Sequence, residues 1–195
     1  MRKILKTVLL FACCAGFYAC NVLPQNLKLA PNVSIPESSR GMDQTITVKV
    51  VDERGEGVLG HTSAASFSGR ADITTNEDLA TIIEDEIIKG LSKKGFRARH
   101  CSLDETPRLK VVIQTFKYDV IQGVWASRIQ SRAVLKAVTV TRGTTHETAY
   151  RVENEKKVAF SPDAAKNQVY VNQMLNDVLK VLLEDPQLMN FLLRI

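Results

Sequence analysis

The pattern with the clearest chemical meaning is a glycine motif, Gly55-Glu56-Gly57-Val58-Leu59-Gly60, which matches G-x-G-x-x-G. Such a motif binds a dinucleotide only when its third glycine leads into a helix whose N-terminus holds the pyrophosphate. Here the residues from His61 to Gly69 have no apolar helical period, and no second parallel strand is indicated after them. The sequence therefore predicts a turn at this motif and no nucleotide cofactor.

The histidines and cysteines offer no catalytic or metal-binding arrangement. His61, His100 and His146 stand singly at loop and strand positions, with no H-E-x-x-H spacing that would place two of them on one face. His100 and Cys101 are adjacent, and adjacent residues of a strand point to opposite sides, so they cannot form a base and nucleophile pair. No metal site and no catalytic residue are predicted.

Two pairs of charged residues are candidates for binding a partner. Asp52 and Arg54 close a predicted strand, where they form either an ion pair that ends the strand or part of a partner surface. Arg128 and Arg132 are four residues apart on another predicted strand and therefore share a face. With lysines of neighbouring strands they would form a basic strip for an acidic polymer or a lipid head group; a charged outer sheet face is the simpler alternative.

The first 20 residues have the layout of a secretory signal. Arg2, Lys3 and Lys6 form a positive start, and residues 7–19 are uncharged. Thirteen residues at about 1.5 Å rise form roughly 20 Å of helix, which is shorter than the ~30 Å hydrocarbon core of a bilayer. The segment is therefore predicted to be a signal peptide rather than a permanent transmembrane helix.

The end of this segment, Phe17-Tyr18-Ala19-Cys20, resembles the lipobox of bacterial lipoproteins, in which a small residue precedes an acylated cysteine. By this resemblance residues 1–19 are a lipoprotein signal peptide, and Cys20 carries the lipid. Cys13, after Ala12, is an alternative, but it leaves only six residues after the last lysine of the segment, below the usual ~7–15 of a hydrophobic region. Asn21 is not the aspartate that retains lipoproteins in the inner membrane, so the resemblance implies the periplasmic side of the outer membrane. Two or three acyl chains would anchor the protein firmly.

Composition and charge exclude several other classes. The 195 residues are 45% hydrophobic and 24% charged, as is usual for globular proteins. The net charge of +5 comes from 26 basic and 21 acidic residues, but three of the basic residues lie in the signal segment. The remaining balance of about +2 is too small to predict a nucleic-acid partner. Once the signal is cleaved and Cys20 is acylated, Cys101 alone remains, so no intramolecular disulfide is expected.

The mature chain divides into a linker and one domain. Residues 20–41 contain three prolines and no helical stripe, and they are predicted to be a flexible lipidated tether. Such a tether would reach roughly 25 Å as a coil and at most about 70 Å when extended, so the domain would stand clear of the membrane. Alternatively, Leu27 to Ile35 would dock as an edge strand. Residues 42–195 are predicted to form a single periplasmic domain.

Hydrophobic periodicity predicts the elements of this domain. One helix begins near Leu79, with Glu84-Asp85-Glu86 on its solvated face, and a second long helix follows Asp163. Residues 58–73 form a ragged hairpin or loop. Strands are predicted at 45–52, 109–122, 126–142 and 145–155, with a bulge near Gln114 where the apolar phase shifts. The predicted fold class is α+β, an antiparallel sheet of about four to five strands with two principal helices packed on one face.

A series of short segments also carries a family resemblance. They are Leu29-Ala30-Pro31-Asn32-Val33, Asp52-Glu53-Arg54, Leu59-Gly60, Lys94-Gly95-Phe96, Tyr118-Asp119-Val120-Ile121-Gln122-Gly123, and Asp185 leading to Phe191. Through their order and spacing, the chain resembles the YajG family of Gram-negative lipoproteins over nearly its whole length. The resemblance supports the outer-membrane assignment and Cys20 as the lipidation site, and it implies no reaction or ligand.

The sequence therefore predicts a lipid-anchored, non-enzymatic interaction module for an envelope protein or a cell-wall polymer. An alternative is a small-ligand or lipid-binding module with a pocket between sheet and helices. The aromatic residues that would line this pocket are Phe116, Tyr118, Trp125 and Phe160. An enzyme is a third alternative, to be judged by whether a cleft brings titratable groups together.

Overall fold

The computed structural model describes residues 23–55, 57–64, 69–141 and 144–194 of the chain. The signal segment and both candidate acylation sites lie outside these ranges. No described helix is both long and apolar enough to cross a membrane. The elements, in chain order, are β1 (Gln25–Asn26), β2 (Thr45–Asp52), β3 (Gly60–Ala64), β4 (Arg70–Thr74), α1 (Leu79–Lys93), β5 (Arg97–His100), β6 (Leu109–Gln122), β7 (Ser127–Thr141), β8 (Thr144–Val158), α2 (Ala164–Glu184) and α3 (Pro186–Leu192).

The long strand β6 lies at the centre of an eight-stranded sheet. On one side it pairs with antiparallel β7, which pairs with antiparallel β8. On the other side, the first half of β6 pairs with parallel β2 and the second half with parallel β3. β5 extends the sheet beyond β2, whereas β4 and β1 extend it beyond β3. The sheet therefore divides into two branches along this side of β6.

The bulge predicted near Gln114 is confirmed, and it lies where the two branches separate. The register of β6 with β7 shifts between Ile113 and Thr115. The pairing of β2 with β6 ends at Ile113, and the pairing of β3 begins at Tyr118. Because a bulge increases the local twist, it turns the second half of β6 toward a new neighbour.

The α+β class is confirmed, but the predicted sheet of four to five antiparallel strands is wrong. The sheet is mixed, because β2 and β3 run parallel to β6. Parallel strands need a long crossover, and the crossover from β2 to β6 contains α1 and three strands. The residues predicted as a ragged hairpin form β3 and β4, and β1 and β5 are too short to produce a periodic signal.

The glycine motif leads into a strand rather than into a helix, which agrees with the prediction that it is a turn and not a dinucleotide site. Gly60 is the first residue of β3. A Cβ atom at Gly60 would overlap the backbone of Tyr118 in β6. This glycine therefore serves the close approach of two strands.

The helices cover one face of the sheet, the inner face. α1 contacts β2 and β5, whereas α2 contacts β7 and β8. The two helices also contact each other, and a Cβ atom at Gly90 of α1 would overlap the side chain of Leu183 in α2. The largest fully buried side chains of this core are Tyr118, Leu27, Ile46, Leu59, Ile73, Ile83, Ile87, Leu91, Leu109, Ile113, Leu135 and Leu175.

Residues 23–40, which we name the strap, lie against the domain. The flexible tether predicted for residues 20–41 is therefore wrong for this part. Leu27 to Ile35 do dock, as the alternative predicts, but not as an edge strand, since only Gln25–Asn26 pairs with the sheet. The physical reason is apolar burial, which outweighs the lack of a regular element. The buried side chains of the strap are Leu27, Leu29, Val33 and Ile35.

Side chains of α2 hold the backbone of the strap through what we name the strap ladder. Backbone N–H groups of alternate strap residues donate to side-chain oxygens four residues apart on α2. Two residues of extended chain span about 6.6 Å and four residues of helix rise about 6 Å, so the spacings match. The three bonds run from Lys28 to Gln168 (3.0 Å), from Ala30 to Asn172 (2.7 Å) and from Asn32 to Asn176 (2.8 Å).

The acidic run of α1 is not the solvated face that the sequence predicts. Glu84 and Glu86 are both buried. One carboxylate oxygen of Glu84 accepts a hydrogen bond from the backbone N–H of Val50 at 2.7 Å, and the other lies 2.7 Å from Nδ1 of His100. Since β5 pairs with β2 only as far as Val48, Glu84 supplies the acceptor that a longer β5 would have supplied.

Candidate functional site

The face of the sheet opposite the helices, which we name the outer face, is built by the three longest strands. Alternate residues of β6, β7 and β8 point to this face, and the register sets them in rows across the strands. The three rows nearest the β6–β7 turn are Lys117, Arg132 and Glu153; Asp119, Gln130 and Glu155; and Ile121, Arg128 and Lys157.

Arg128 and Arg132 share the outer face, as their spacing predicts, but they do not form a uniformly basic strip. Nε of Arg128 lies 3.4 Å from a carboxylate oxygen of Glu155, and Arg132 stands opposite Glu153 on β8. Exposed ion pairs contribute about 0–1 kcal/mol each, so these charges contribute little to the stability of the fold. The outer face is therefore a polar surface with charges of both signs.

A shallow depression of about 440 Å³ lies on this surface. It combines ammonium and guanidinium groups, which donate hydrogen bonds, with carboxylates, which accept them, and with amide groups, which donate and accept. Such a lining suits a polar, charged ligand rather than an apolar small molecule. The lining residues are Lys117, Asp119, Gln130, Ser131, Arg132, Glu153, Asn154 and Glu155.

His61 continues the outer face onto β3. Its backbone N–H donates to Oδ1 of Asp119 at 3.1 Å, and its ring Nδ1 lies 3.4 Å from the same oxygen. Nη2 of Arg70 contacts the ring nitrogens at 2.8 and 2.6 Å, and a carboxylate oxygen of Asp72 is 3.5 Å from Nε2. This cluster joins β3, β4 and β6 at the outer face. The sequence holds no signal for it, because its members are far apart in the chain.

Asp52 and Arg54 form the ion pair that the sequence offered as one of two alternatives. Nε and Nη2 of Arg54 donate to the two carboxylate oxygens of Asp52 at 2.9 and 2.7 Å, and Nη1 donates to the carbonyl of Val58 at 3.2 Å. Only 10% of the Arg54 side chain is exposed. Burial raises the pKa of Asp52, but the hydrogen bonds and the charge of Arg54 outweigh burial and lower the pKa overall. The pair ends β2 and holds the following loop, and partner binding by these two residues stays a prediction.

The four aromatic residues predicted to line a ligand pocket do not surround one cavity. Phe116 and Tyr118 are buried in the core, whereas Trp125 and Phe160 are 91% and 86% exposed. A cavity between the sheet and α2, lined partly by Tyr118, measures about 60 Å³. This volume holds about two water molecules, far below the ~300–1,000 Å³ of small-molecule sites. The predicted lining is therefore wrong.

Two buried tyrosines of the inner face make polar contacts that the sequence did not predict. The hydroxyl of Tyr118 donates to Oδ1 of Asn167 at 2.7 Å, and that of Tyr150 donates to Oδ2 of Asp185 at 2.6 Å. Burial raises the pKa of both phenols, and for Tyr150 the bond to Asp185 and its charge raise the pKa further. Asn167 also donates to Oε1 of Gln25, so it joins the sheet to the strap.

The remaining reactive side chains have structural partners. Nε2 of His100 lies 3.3 Å from a carboxylate oxygen of Asp85, in addition to the contact of Nδ1 with Glu84. Sγ of the half-buried Cys101 donates to the backbone carbonyl of Glu105 at 3.0 Å. Within the described ranges, no group of three or more His, Cys, Asp or Glu side chains is arranged to hold a metal ion.

Comparison with protein families gives one match over most of the chain. The family model Lipoprotein_16, described as an uncharacterized lipoprotein, matches residues 31–193. No curated protein matches the chain. The matched region begins within the strap and ends just after α3, so it includes residues 31–40 of the strap.

The solved structures that match the chain have low sequence identity to it. A protein of the DUF330 family from Xanthomonas campestris is 14% identical, with 88% of this chain and 97% of that chain covered, at a TM-score of 0.50. PelC from Paraburkholderia phytofirmans, solved as a dodecamer, is 12% identical, with 78% and 96% covered, at a TM-score of 0.36. At such identities, the likeness to the first protein concerns the fold alone.

Proposed function

Because the chain belongs to the YajG family of uncharacterized lipoproteins, we propose that it is an envelope lipoprotein that binds a partner without catalysing a reaction. Acyl chains on Cys20 hold it at the periplasmic side of the outer membrane. The domain then presents its outer face to an envelope protein or to the cell-wall polymer. No nucleic acid and no cofactor take part in this proposal.

The observation that carries the proposal is the polar depression on the uncovered outer face. Three strands of 14, 15 and 15 residues form this face. Basic and acidic side chains share this face: one row holds Lys117, Arg132 and Glu153, and the next holds Asp119, Gln130 and Glu155. Charges of both signs in a fixed register favour a partner with the complementary pattern, since electrostatic complementarity contributes specificity more than affinity. Cell-wall peptides and protein surfaces both carry amino and carboxylate groups.

The contacts of the described histidines and of Cys101 are compatible with a role in binding. His61 and His100 each contact carboxylates, and Cys101 donates to a backbone carbonyl. The hydroxyl of Thr148 lies 3.0 Å from Nε2 of His146, but the ring of His146 stacks on Phe191 and contacts no carboxylate among the described residues that would orient it as a base. The outer face instead offers many hydrogen-bonding groups that are already oriented by the sheet.

Site-specific photocrosslinking in cells tests the proposal. A photoreactive amino acid replaces Gln130 in the depression, and a matched variant carries it at Val181, which is 47% exposed on α2 at the helical side. We expect a discrete adduct from position 130 that is absent from position 181 and is lost when Arg132→Glu is added. Cleavage of the adduct by a protease or by a muramidase then separates a protein partner from the cell-wall polymer. Equal adducts from both positions, or none from position 130, would contradict the proposal.

A further inference from the structure

One end of the sheet exposes large apolar side chains at two neighbouring connections, residues 123–126 and 159–162, which we name the tip. Val124 and Trp125 in the β6–β7 turn are 84% and 91% exposed, and Phe160 in the β8–α2 connection is 86% exposed. Single exposed apolar residues are common on soluble proteins, but contiguous aromatic patches usually mark a binding or membrane surface.

The register brings the two aromatic residues of the tip together. The last pair of the β7–β8 ladder is Ser127 with Val158. Trp125 precedes this pair by two residues and Phe160 follows it by two, so both lie at the same level beyond the sheet. The side chain of Gln122 donates to Oγ of Ser161 at 2.8 Å, which ties the β6–β7 turn to the other connection. The tip is therefore one surface rather than two separate loops.

Basic side chains surround the tip. Lys157, Lys166 and Lys156 are exposed, and Lys156 lies over the ring of Tyr170 at 4.9 Å from its centroid. A depression of about 430 Å³ behind Phe160 is lined by Lys156 and Lys166. Among the described residues, Lys157 and Lys166 have no acidic partner within ion-pair distance. These two lysines are thus available to the phosphates of lipid head groups.

The nearby acids are engaged elsewhere. The carboxylate of Asp163 accepts from the backbone N–H of Lys166 and caps α2. Glu155 contacts Arg128 and accepts from Gln130 on the outer face. Among the charged side chains around the tip, Lys156, Lys157, Lys166 and Arg128 outnumber Asp163 and Glu155, so the net charge there is positive.

The strap directs the N-terminus of the chain toward this same end. β1 runs parallel to β4, which places Gln25 at the level of Ile73, and through β3 at the level of Tyr118 in β6. Going back from Gln25, the chain runs toward the β6–β7 turn rather than toward the β7–β8 turn. Asn167 contacts both Gln25 and the carbonyl of Pro162, which fixes the beginning of the strap beside the tip.

Covalent reach decides which end of the domain faces the lipid. Cys20 precedes Gln25 by five residues, which span at most about 17 Å. The tip lies four residues of β6 beyond the level of Gln25, at Gln122, or about 13 Å along the strand. The opposite end, at Val140 of β7, lies nine residues beyond the equivalent level in β7, at Ser131, or about 30 Å away. An acylated Cys20 therefore reaches a membrane in contact with the tip but not one in contact with the opposite end.

We propose that the tip is a membrane-docking surface, in which Trp125 and Phe160 enter the interfacial layer of the bilayer and Lys157 and Lys166 contact its phosphates. Aromatic rings prefer this layer, and each basic residue near an anionic surface adds to the attraction. The inference rests on the proposed acylation of Cys20. Docking holds the domain upright on the membrane and leaves the outer face free at the side.

The fluorescence of Trp125 tests the docking directly, because it is the single tryptophan of the chain. The full-length acylated protein is reconstituted in vesicles of phosphatidylethanolamine and phosphatidylglycerol, with and without bromine on the acyl chains. We expect blue-shifted emission from Trp125, quenching by brominated lipid, and protection from iodide in solution. The matched control is Trp125→Phe with Leu103→Trp, since Leu103 is fully exposed in the connection that follows β5 and precedes Leu109, far from the tip. Its tryptophan should show no lipid quenching.

Vesicle flotation, measured on the same samples, separates failure of the anchor from failure of docking. Protein that does not float contradicts the proposed acylation. Protein that floats while Trp125 stays open to iodide and unquenched by lipid overturns the docking proposal alone, as does equal quenching of the control tryptophan. Lys157→Glu with Lys166→Glu should reduce the quenching of Trp125 without reducing flotation, and both sites are exposed enough to keep the fold. Unchanged quenching in this variant would contradict the role of the two lysines.

Discussion

The strap and the outer face are opposites in how they combine regular structure with burial. The strap has only two residues in a strand, yet its apolar side chains are buried in the core. The outer face belongs to three long regular strands, yet most of its side chains are exposed. Regular hydrogen bonding therefore does not tell which side chains are buried in the core. Burial makes the strap a structural part of the domain, while the outer face stays free to bind.

The same comparison changes how the protein relates to the membrane. A free tether of some twenty residues would have let the domain stand away from the lipid. With the strap docked, Gln25 follows Cys20 by five positions, so the proposed acylation of Cys20 would keep the domain near the bilayer. In this proposal, the strap sets the orientation in which the outer face is presented.

The largest effect on stability should come from removing an apolar side chain by which the strap packs into the core. Leu27 is 1% exposed, so Leu27→Ala removes a buried side chain and should reduce the free energy of unfolding by about 3 kcal/mol. Urea unfolding of the full-length protein in detergent measures this change. The matched variant Leu23→Ala, at a residue 71% exposed, should change it by less than about 0.5 kcal/mol. An effect of Leu27→Ala as small as that of Leu23→Ala would mean that the strap is a free tether.

High pH should lower the free energy of unfolding through the two buried tyrosines of the inner face. Because the pKa values of Tyr118 and Tyr150 are raised in the folded protein, the stabilisation is fully present below the unfolded pKa of about 10 and is lost as the pH rises above it. Each tyrosine should contribute a decline of up to about 1.4 kcal/mol per pH unit in the free energy of unfolding. Tyr150→Phe should remove one of the two contributions. Denaturant titrations between pH 9 and 11 measure how the free energy of unfolding depends on pH. The same slope in Tyr150→Phe and in the parent protein would argue against a buried phenol at position 150.

Breaking the strap ladder should have a smaller effect. Asn172 accepts from the N–H of Ala30 and donates to the carbonyl of Lys28, so Asn172→Ala should cost about 1 kcal/mol and speed hydrogen exchange at Ala30. The neighbouring Gln173→Ala serves as the control, since Gln173 is exposed and bonds to Asp177 within α2. Exchange at Ala30 that does not respond to either change would show that apolar burial alone holds the strap.

The smallest effect on stability is expected on the outer face. Arg132→Ala should change the free energy of unfolding by less than about 0.5 kcal/mol, because its side chain is exposed and stands opposite Glu153 on the solvent side of the sheet. The same variant should weaken the crosslink from position 130. A large loss of stability instead would assign the charges of the outer face to the fold rather than to a partner.

Local elements of this fold could be predicted from the sequence because their signals are local. The phase shift around Gln114 predicted the bulge, and the apolar period from Leu79 predicted the first helix. The pairing of β2 with β6 could not be predicted, because alternation identifies a strand but not its partner. The sequence predicts a tether instead of the docked strap because the prolines and short apolar runs of this segment have no regular period. The one signal of docking is the polar stripe of Gln168, Asn172 and Asn176, which recur every fourth residue along α2.

The candidate site was predictable only in its parts. Spacing placed Arg128 and Arg132 on one face, but the acids between them come from β8 and appear only once the register is known. Glu84 was assigned to solvent because helices usually expose carboxylates, whereas here an unpaired backbone N–H of β2 draws it inward. Trp125 and Phe160 were expected together in a pocket, and the register brings them together at the tip, outside the core.

Mass spectrometry of the N-terminal peptide, from protein purified from its own envelope membranes, tests the central claim most directly. We predict a peptide that begins at Cys20 and carries a diacylglyceryl group on sulfur and a further acyl chain on the amino group. A peptide with Cys20 unmodified, or with the preceding residues still attached, would contradict the anchor and, with it, the short link that sets the tip against the membrane.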